Sequence, residues 1–599
     1  MTIPTLLRRS TLLVLLLLAV PAQAQRTIET RKDTVFAFFR DADTGLNYAA
    51  AAARVLETAT RPDGLAMLEE LTTIVTPDPT ERFRMTTVYV RLHDILPDSM
   101  RARIEYIWAS FPLRPFDGEH EEVAYYSSLY LMCHFGGTDA AFYNGRSLNE
   151  NRNDARAWLL HWMQEVTERG QRQFDSPTYA ALMLVSMVLL RDFAPDEDMR
   201  RRSELMAQWL LADFAHDYLN GAYCGAHARE NMLASLLNPV ASDMSGPGWL
   251  YFGDGPQVYG REQFFLALSD FTPLDAIVEL AINRTEPYES WERKRSAVRY
   301  RSSDLGKYAK TGAYDTDAED VPRYTYMHPL FAMGSIPGGQ VQPREQHSWD
   351  VTWIPKDPQK PATLFVMHPY FDPVGLRPFI PHSPEIALRA IGLLDSYFGT
   401  VTQPAAGSPF EDVFQHRNTL IALYDIGQVS RFPLVAGFLP PEYKKMDVDS
   451  TRSGWITINT GDVYLAVYPL APYRIVDGMF GKHLFSPHKR NGVIVHVAGR
   501  NTAGSYEQFR KAVRETKVDT SRFASDASIR YTTPDGDVFA FTFAGTRTVN
   551  GESVMMKEDM LFDSPRLQSK RGSGALTIRS TEGDVTIDMR ALRIDGATR

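Results

Sequence analysis

The sequence predicts an α+β multidomain protein, with an N-terminal helical domain followed by a C-terminal antiparallel β-sandwich-like domain. Between Thr34 and about Ser296, the apolar residues recur mostly every three or four positions, which is the period of amphipathic helices. Beyond about residue 335 they alternate with a period of two, as in half-buried strands. The chain has 599 residues, a length that normally divides into two or more domains.

The first residues have the pattern of a cleavable secretory signal, which we assign to residues 1–24. Arg8 and Arg9 precede an apolar run at 12–20, and an Ala-Gln-Ala sequence ends at Ala24. The run is shorter than the ~20 apolar residues of a transmembrane helix, and no later stretch approaches that length. We therefore expect a soluble protein that is periplasmic or secreted and has no membrane partner.

The first domain, residues 25–335, is expected to be a succession of helical hairpins. Short breaks separate segments with helical periodicity, among them 155–166, 179–190, 201–211 and 262–268. Inner and outer helices that alternate around a closed ring are the simplest arrangement of many consecutive hairpins. The sequence therefore predicts an alpha/alpha toroid, in which the inner helix ends line one cleft.

The second domain, residues 336–599, is expected to be mostly antiparallel sheet. Period-two alternation predicts strands at 362–366, 455–459, 463–467, 492–497, 538–543 and 575–578. Glycine-containing turn sequences separate several of them, at 459–461, 534–536 and 582–584. Two segments with helical character, 384–397 and 505–514, interrupt the sheet.

Composition and charge limit the classes of protein and of binding partner that the sequence allows. The chain is 44% hydrophobic and 11% aromatic, which excludes a disordered protein. Loss of Arg8 and Arg9 with the signal moves the formal charge from -9 to -11, which argues against a nucleic-acid partner. An acidic ligand would need a local basic pocket. Two cysteines, Cys133 and Cys224, cannot form a structural zinc site alone, and we expect buried thiols.

The loop at 221–231, which also contains Glu230, packs several titratable side chains into one turn. Tyr223, His227 and Arg229 supply an acid, a base and a cation within one turn, and Asn231 adds a further donor. Proton transfer on an acidic substrate requires these kinds of group. In the simpler interpretation, the loop only connects two helices, and its polar groups cap helix ends and satisfy one another.

Six segments from both domains form a recognisable set: 175–179, 190–194, 223–229, 324–335, 346–349 and 414–418. They resemble segments of exported proteins related to the toroid polysaccharide lyases, a group that includes alginate, glucuronan and heparinase-type enzymes. The resemblance runs from about Glu119 to about Asp425. It implies β-elimination, in which the enzyme neutralises a uronate carboxylate, removes the C5 proton and protonates the leaving oxygen at C4. Donors aimed at the developing enolate carry much of such catalysis.

The resemblance also implies roles for individual residues. His227 corresponds to a neutraliser or base, with Arg229 and Asn231 as secondary donors. The catalytic tyrosine is expected some tens of residues later, which favours Tyr288, and Arg284 would then stabilise its phenolate. The alternatives for this role are Tyr300, Tyr324 and Tyr326. Each of these tyrosines could instead be a packing residue whose hydroxyl binds a backbone group.

Further residues of these segments are expected to contact the substrate: Tyr179, Tyr223, His347 and His416. Some heparinase-like relatives hold a structural metal through His and Asp, and the corresponding candidates here are His347, Asp350, His368 and His416. Their spacing matches no compact ligand motif, so we predict neither a metal nor another cofactor. Partly buried, hydrogen-bonded histidine is the simpler interpretation for most of them.

Asp175 departs from the lyase pattern, because an ionised Asp repels a substrate carboxylate that an Asn would bind. It must be protonated, bound to Arg, or not a neutraliser. A carboxylate pair of Asp175 with Glu230 or Asp254 would instead suit a glycoside hydrolase, which is our alternative. A non-catalytic glycan-binding protein is the third hypothesis. The expected partner is an acidic polysaccharide, and its elimination product would absorb in the ultraviolet.

Overall fold

The structure is a computed structural model of the chain. It describes residues 27–114, 116, 118–136, 142–228, 238–295, 320–338, 346–357, 360, 362–368, 408, 410–427, 434–440, 442–449, 453–478 and 481–596. The signal segment 1–24, the predicted helix at 384–397 and four residues of the site hypotheses lie outside the described residues. Those four residues are Arg229, Glu230, Asn231 and Tyr300. No helix in the described ranges is long and apolar enough to cross a membrane.

The N-terminal part is helical. Its α-helices are α1 Ile28–Asp41, α2 Tyr48–Leu56, α3 Arg61–Thr73, α4 Pro79–Arg91, α5 Asp98–Ser110, α6 Glu119–Phe135, α7 Leu148–Arg169, α8 Ala180–Phe193, α9 Glu197–His216, α10 Ser245–Phe252, α11 Arg261–Ala267 and α12 Asp275–Ile282. The helices predicted within α7, α8, α9 and α11 are confirmed. Local sequence explains the starts of two of them. Ser147 and Glu150 form a capping box at α7, and the Asp196 side chain caps α9 by accepting from Met199 N.

The helices pack in pairs and in a sequence. Along the chain, α4 contacts α2 and α6, α6 contacts α8, α8 contacts α11, and α11 contacts α2. Four of these helices also contact the next helix along the chain: α3 packs on α2, α5 on α4, α7 on α6 and α9 on α8. A succession of helical hairpins is therefore confirmed. Cys133, in α6, and Cys224, in the loop after α9, are buried free thiols.

Four antiparallel sheets are present among the described residues. The strands are β1 Tyr218–Leu219, β2 Ala222–Tyr223, β3 Tyr288–Lys294, β4 Val321–Met327, β5 Phe331–Ser335, β6 Trp349–Trp353, β7 Thr363–Met367, β8 Glu411–His416, β9 Thr419–Asp425, β10 Val435–Leu439, β11 Lys445–Val448, β12 Ile456–Asn459, β13 Val463–Pro469, β14 Arg474–Gly478, β15 Gly481–Ser486, β16 Arg490–Gly499, β17 Lys517–Asp519, β18 Ser528–Thr532, β19 Val538–Thr542, β20 Arg547–Val549, β21 Glu552–Ser553, β22 Met560–Asp563, β23 Leu567–Lys570, β24 Ala575–Ser580, β25 Gly583–Asp588 and β26 Arg593–Asp595. Three helices accompany them: α13 Arg500–Ala503, α14 Tyr506–Arg514 and α15 Phe523–Asp526. All six predicted strands and the helix predicted at 505–514 are confirmed.

The three larger sheets pack in layers, and one end of the largest sheet packs against the helices. The largest sheet has the order β14-β15-β10-β7-β6-β5-β4-β3-β22-β23-β24-β25-β26. Strands β22 to β26 at its one end share the hydrophobic core of the helices, while β5, β6, β7 and β10 share a second core with the six-stranded sheet β11-β12-β13-β16-β9-β8. A third core lies between that sheet, α14 and the five-stranded sheet β17 to β21.

The structure corrects the position at which helices give way to strands. Strands β3, β4 and β5 lie within the range 25–335 that the sequence analysis assigned to helices. Two features hide them from a periodicity argument. Strand β5 is buried at every position, as is typical of strands covered on both faces, and the inward-facing positions of β3 and β4 include the charged residues Glu292, Lys294 and Arg323.

Candidate functional site

The loop singled out by the sequence joins the helical part to the large sheet. After α9, the short hairpin β1–β2 turns at Gly221, which has a positive φ of 96°. His227 and His347 then exchange backbone hydrogen bonds of 2.9 and 3.0 Å, and Ala228 N donates to Phe174 O. Gly225 is required at its position, because a Cβ there would lie 2.8 Å from Arg323 Nη2. The loop is thus held in a narrow gap between the helices and strands β4 and β5.

Three aromatic side chains meet on this loop and the facing sheet. The ring of His227 lies 5.8 Å from that of Tyr223 and 5.9 Å from that of His347, measured between centroids. His347 Nε2 lies 3.3 Å from Asp350 Oδ2. We call Tyr223, His227, His347 and Asp350 the loop–sheet site. All four side chains are buried, with His347 the most accessible at 8%.

The electrostatics of the loop–sheet site keep both central groups uncharged. Burial lowers the pKa of His227 well below its ordinary value, and nearby His347 and Arg323 lower it further, against a hydrogen bond with the Asp175 backbone. His227 Nδ1 has no hydrogen-bond partner among the described residues. Burial raises the pKa of Tyr223 well above its ordinary value, and the Asp175 carboxylate raises it further. A neutral imidazole therefore adjoins a protonated phenol.

A fully buried ionic network lies directly behind the loop–sheet site. We call its members the Lys294 cluster: Asp175, Asp213, Asp217, Glu292, Lys294 and Arg323. Lys294 Nζ lies 2.9 Å from Asp175 Oδ1, 2.9 Å from Asp213 Oδ2 and 3.0 Å from Glu292 Oε2. Every side chain of the cluster except that of Asp213 is 1% exposed or less. The ammonium group is thus enclosed by three carboxylates, one from a loop, one from a helix and one from its own strand.

Arg323 provides the second cation of the cluster. It pairs with Asp217 and lies 3.1 Å from Glu292 Oε1 and 3.1 Å from Asp175 Oδ2. Its remaining donors bind the loop itself, with Nε 2.8 Å from Ala226 O and Nη2 2.6 Å from Cys224 O. Arg323 therefore holds the loop in place on one side of the gap and the acidic groups on the other.

Asp175 connects the Lys294 cluster to the loop–sheet site. Its carboxylate accepts from Tyr223 Oη at 2.7 Å as well as from Lys294, and its backbone has a positive φ of 53°, a region that costs free energy for residues with a Cβ. Asp175 is thus bound to both Arg323 and Lys294. Binding to Arg was one of the three alternatives that the sequence analysis gave for this residue. Because its charge is compensated, it does not present a free carboxylate to a ligand.

The two buried cations face four carboxyl groups, and protonation helps to balance the difference. Burial raises the pKa of Asp213 to about 7, against the effect of Lys294. Burial also raises the pKa of Asp217 well above its ordinary value. In contrast, Lys294 and Arg323 together hold the pKa of Glu292 well below its ordinary value, although burial alone would raise it. Glu292 is therefore the most firmly ionised acid of the cluster.

Two triads of the same region have geometries that could hold a metal ion. They are His216 with Asp217 and Glu292, and Asp175 with Asp213 and Glu292, each with ligand atoms within 4.8 Å of one another. The Lys294 and Arg323 cations already lie against these carboxylates, so a divalent ion would have to displace a buried positive charge. The cluster does not fit a metal. Of the metal candidates named from the sequence, His347 binds Asp350, and His368 binds Ser408.

Tyr288 and Arg284 are adjacent, as expected, but form part of the packed interior. Arg284 Nη2 donates to Tyr288 Oη at 3.3 Å, and Tyr288 Oη donates to the backbone carbonyl of His216 at 2.5 Å. Burial raises the pKa of Tyr288, and Arg284 acts in the expected direction by lowering it, but the effect of burial is the larger. Tyr288 reaches the loop–sheet site only indirectly, through His216, Glu292 and the rest of the Lys294 cluster.

The remaining candidates lie elsewhere. Successive residues of a strand point to opposite faces, so Tyr326 lies on the face of the sheet opposite to Tyr288 and Arg323. It joins His416 in a separate group. We call that group the Arg417 surface: Glu289, Trp291, Tyr326, His416 and Arg417. Tyr179 precedes α8, and its ring stacks on that of His120 at 4.0 Å. Asp254 accepts from Tyr218 through its backbone carbonyl, while Asp175 belongs to the Lys294 cluster.

The sequence analysis missed most of the Lys294 cluster. Asp213 and Asp217 flank the end of α9, and Glu292, Lys294 and Arg323 lie on strands that periodicity did not reveal. One signal was available: alternate residues of 288–294 combine Tyr, Ser, Glu and Lys, a polar face that helical packing would expose to water. Pairs such as Lys294 and Asp175 are 119 residues apart, a separation that no local pattern bridges.

Comparison with known proteins finds distant similarity among solved structures. No family model matches the chain, and no curated protein matches it. Among solved structures, the heparan sulfate lyase HepC from Pedobacter heparinus is similar at 10% sequence identity, over 87% of this chain and 89% of that one, with a TM-score of 0.21. A similarity with this TM-score does not identify the function of the chain.

Proposed function

We propose that the protein is an exported polysaccharide lyase that cleaves a uronic-acid-containing polysaccharide by β-elimination. The observation that carries the proposal is the neutral His227, whose Nδ1 has no partner in the described ranges and whose ring adjoins a protonated Tyr223. A base must be uncharged and carry an accessible lone pair when the substrate arrives. Arg323 lies close enough to lower the pKa of His227 further, while the carboxylates of the Lys294 cluster compensate its charge.

In the proposed reaction, His227 Nδ1 accepts the C5 proton of the uronate. Tyr223 keeps its own proton at neutral pH and gives it to the leaving oxygen, and the resulting phenolate regains a proton from the protonated His227. The Tyr223 hydroxyl already donates to Asp175, so it would exchange that hydrogen bond for one with the substrate. His347, supported by Asp350, is positioned to bind the substrate carboxylate from the sheet side. Because these side chains are buried, the loop must move away from the sheet before a polymer can bind.

The alpha/alpha toroid belongs to the same proposal. It is supported by the order of helix contacts, in which α2, α4, α6, α8 and α11 follow one another and α11 returns to α2. In such a ring, the loops that precede the inner helices meet at one end. The loop with Asp175 precedes α8, and the candidate loop with His227 adjoins it through the Ala228 to Phe174 hydrogen bond.

The proposal is tested with alginate, glucuronan, ulvan and glycosaminoglycans as substrates and with product absorbance in the ultraviolet as the readout. His227→Gln keeps a donor near the position of Nε2 and removes the Nδ1 lone pair, so turnover should fall by ~100-fold or more. His483→Gln is the matched control, since His483 is also buried and has an unpartnered ring nitrogen but lies in the sheets.

Three results would separate the hypotheses. An ultraviolet-absorbing product that depends on His227 supports elimination. New reducing ends without that absorbance would support a hydrolase, and binding without either product would support a glycan-binding protein. Equal loss of turnover in His227→Gln and His483→Gln would indicate a general effect on folding and would remove His227 as the base.

A further inference from the structure

The Arg417 surface is the strongest unassigned group of polar side chains on the described part of the molecule. It combines the outer face of β3 and β4 with the tip of the β8–β9 hairpin. Tyr326 lies opposite Glu289 in the ladder between β3 and β4, and the Trp291 ring packs at 4.6 Å on that of buried Tyr324. The surface is on the opposite side of the sheet from the Lys294 cluster.

Arg417 is fixed in place from one side only. Its Nε donates to Glu289 Oε1 at 3.0 Å, and its backbone N donates to Tyr324 Oη at 2.9 Å. Tyr324 Oη in turn donates to Glu289 Oε2 at 2.7 Å. The two Nη groups of Arg417 have no partner among the described residues, and 56% of the side chain is exposed. The outer edge of the guanidinium therefore presents two parallel donors to solvent.

The backbone of Arg417 is strained at this position. His416 pairs with Thr419, so the hairpin loop has two residues, Arg417 and Asn418, and Arg417 has a positive φ of 50°. Two-residue hairpin loops favour Asn or Gly where φ is positive, because a Cβ costs free energy there. A long cationic side chain at such a position is a conformational outlier of the kind that occurs at functional sites.

Two aromatic side chains complete the surface. Trp291 and Tyr326 are both partly exposed, and neither the indole N–H nor the phenol has a hydrogen-bond partner in the described part of the chain. Tyr326 lies opposite Glu289 in the ladder between β3 and β4, and Glu289 binds Arg417, so Tyr326 and Arg417 both neighbour the same carboxylate. Partly exposed rings with a few fixed polar donors are typical of ligand sites.

Nearby acids limit what the surface can bind. Glu289 is compensated by Arg417 and by the Tyr324 hydroxyl, and His416 Nδ1 lies 3.8 Å from its carboxylate. Asp537, in the turn before β19, also acts on Arg417. The negative charge of Asp537 would weaken the binding of an anion, so its removal should strengthen that binding.

We infer that the Arg417 surface binds the carboxylate of an acidic sugar, through the two Nη groups of Arg417, with the sugar ring against Trp291 and Tyr326. A guanidinium fork matches a carboxylate with two parallel hydrogen bonds, which a lysine cannot provide. The identification of the ligand as a sugar rests on the proposed function, whereas the preference for a carboxylate follows from Arg417. The surface would hold a part of the polymer away from the loop–sheet site.

The test measures binding by isothermal titration calorimetry in the His227→Gln background, so that turnover does not consume the ligand. The probes are tetramers of galacturonic acid and of mannuronic acid, with cellotetraose as the neutral comparison. Arg417→Gln should weaken binding of at least one acidic tetramer by about tenfold or more. Arg417→Lys should give an intermediate loss, and Asp537→Asn should tighten binding. Binding should also weaken with added salt.

Arg593→Gln is the matched control. Arg593 is 63% exposed, and its Nε lies 2.9 Å from a carboxylate, as in Arg417, but it lies on the last strand of the large sheet. Unfolding midpoints of all variants identify any loss of structure, and Arg417→Lys retains the positive charge if Arg417→Gln does not fold. Binding that is equal in Arg417→Gln and Arg593→Gln, or no binding of either tetramer at millimolar concentration, would overturn the inference.

The two proposals can fail separately. Arg417-dependent binding by a protein that yields no ultraviolet-absorbing product would refute elimination chemistry and leave the carboxylate surface intact. If the protein forms an absorbing product and its Arg417 variants bind and turn over normally, elimination chemistry is supported and the carboxylate surface is refuted.

Discussion

Replacement of Lys294 by Met is the most direct test of how the protein is held together at its centre. Met keeps an unbranched side chain and removes only the ammonium group. In the native structure that group lies 2.9 to 3.0 Å from three carboxylates and is 1% exposed. Its removal leaves Asp175, Asp213 and Glu292 buried with Arg323 as the remaining cation of the cluster.

The expected loss follows from the cost of a buried charge without a partner. Breaking a buried ion pair by removing one partner typically costs about 3–5 kcal/mol. The pKa of Asp213 is raised already in the native protein, to about 7, and without Lys294 it should rise further. A carboxyl with a raised pKa contributes stability that is complete below its unfolded pKa, near 4, and is lost as the pH rises through its folded pKa. The deficit of Lys294→Met should therefore be large at pH 8 and smaller at pH 5.

Urea unfolding at the two pH values, followed by circular dichroism, measures the deficit. Lys482→Met is the control, since Lys482 also pairs with an acid, Asp477, but at the surface, where such pairs contribute little. A double variant with Asp213→Asn should recover part of the loss, because it removes one uncompensated acid. A midpoint of Lys294→Met equal to that of the native protein at pH 8, or a deficit that grows at pH 5, would refute the electrostatic account.

Two further predictions concern Glu411 and Tyr288. Burial raises the pKa of Glu411 to about 7, against hydrogen bonds from Ser348 and Tyr424, so its contribution to stability is complete below about pH 4.5 and is lost as the pH rises through 7. The difference in unfolding free energy between Glu411→Gln and the native protein should therefore change by about 3 kcal/mol between pH 4 and pH 8, and a constant difference would contradict a buried, neutral Glu411. Tyr288→Phe should lower the free energy of unfolding by about 1 kcal/mol, through loss of the hydrogen bond to His216 O, and should reduce turnover less than His227→Gln. A loss of turnover of ~100-fold with unchanged stability would instead identify Tyr288 as the base.

The fold was predictable wherever one side of an element faces a core and the other faces water. Helix α7 and strands β19 and β24 have this pattern, and the sequence located them within a few residues. The prediction failed at β5, which is buried at every position, and at β3 and β4, which have one buried and one partly exposed face. There the side chains that face the helices include charged residues, whose burial depends on partners that lie far away in the sequence.

The candidate site was predictable only where its residues lie close together in the sequence. Tyr223 and His227 share one short loop, so their proximity could be inferred from the sequence, and His347 was recognised through a resemblance rather than a physical argument. The contact between His227 and His347 is a pair of backbone hydrogen bonds, which side-chain identity does not encode. The choice of Tyr288 relied on its spacing from His227, and spacing along the chain does not show which face of a strand a residue occupies.

The role of Asp175 changes how mechanism can be tested in this protein. Asp175→Asn would seem to separate a hydrolase, which needs the acid, from a lyase, which does not. In the structure, however, Asp175 binds Lys294, Arg323 and Tyr223, and its backbone binds the His227 ring. The substitution would alter the compensation of two buried cations and the position of the proposed acid at the same time. Loss of activity would therefore follow under either chemistry. His227 Nδ1 has no hydrogen-bond partner among the residues that the structure describes, and His227 is not a member of the Lys294 cluster, so its Nδ1 can be removed with the cluster left intact. It is consequently the residue at which a chemical role can be measured separately from stability.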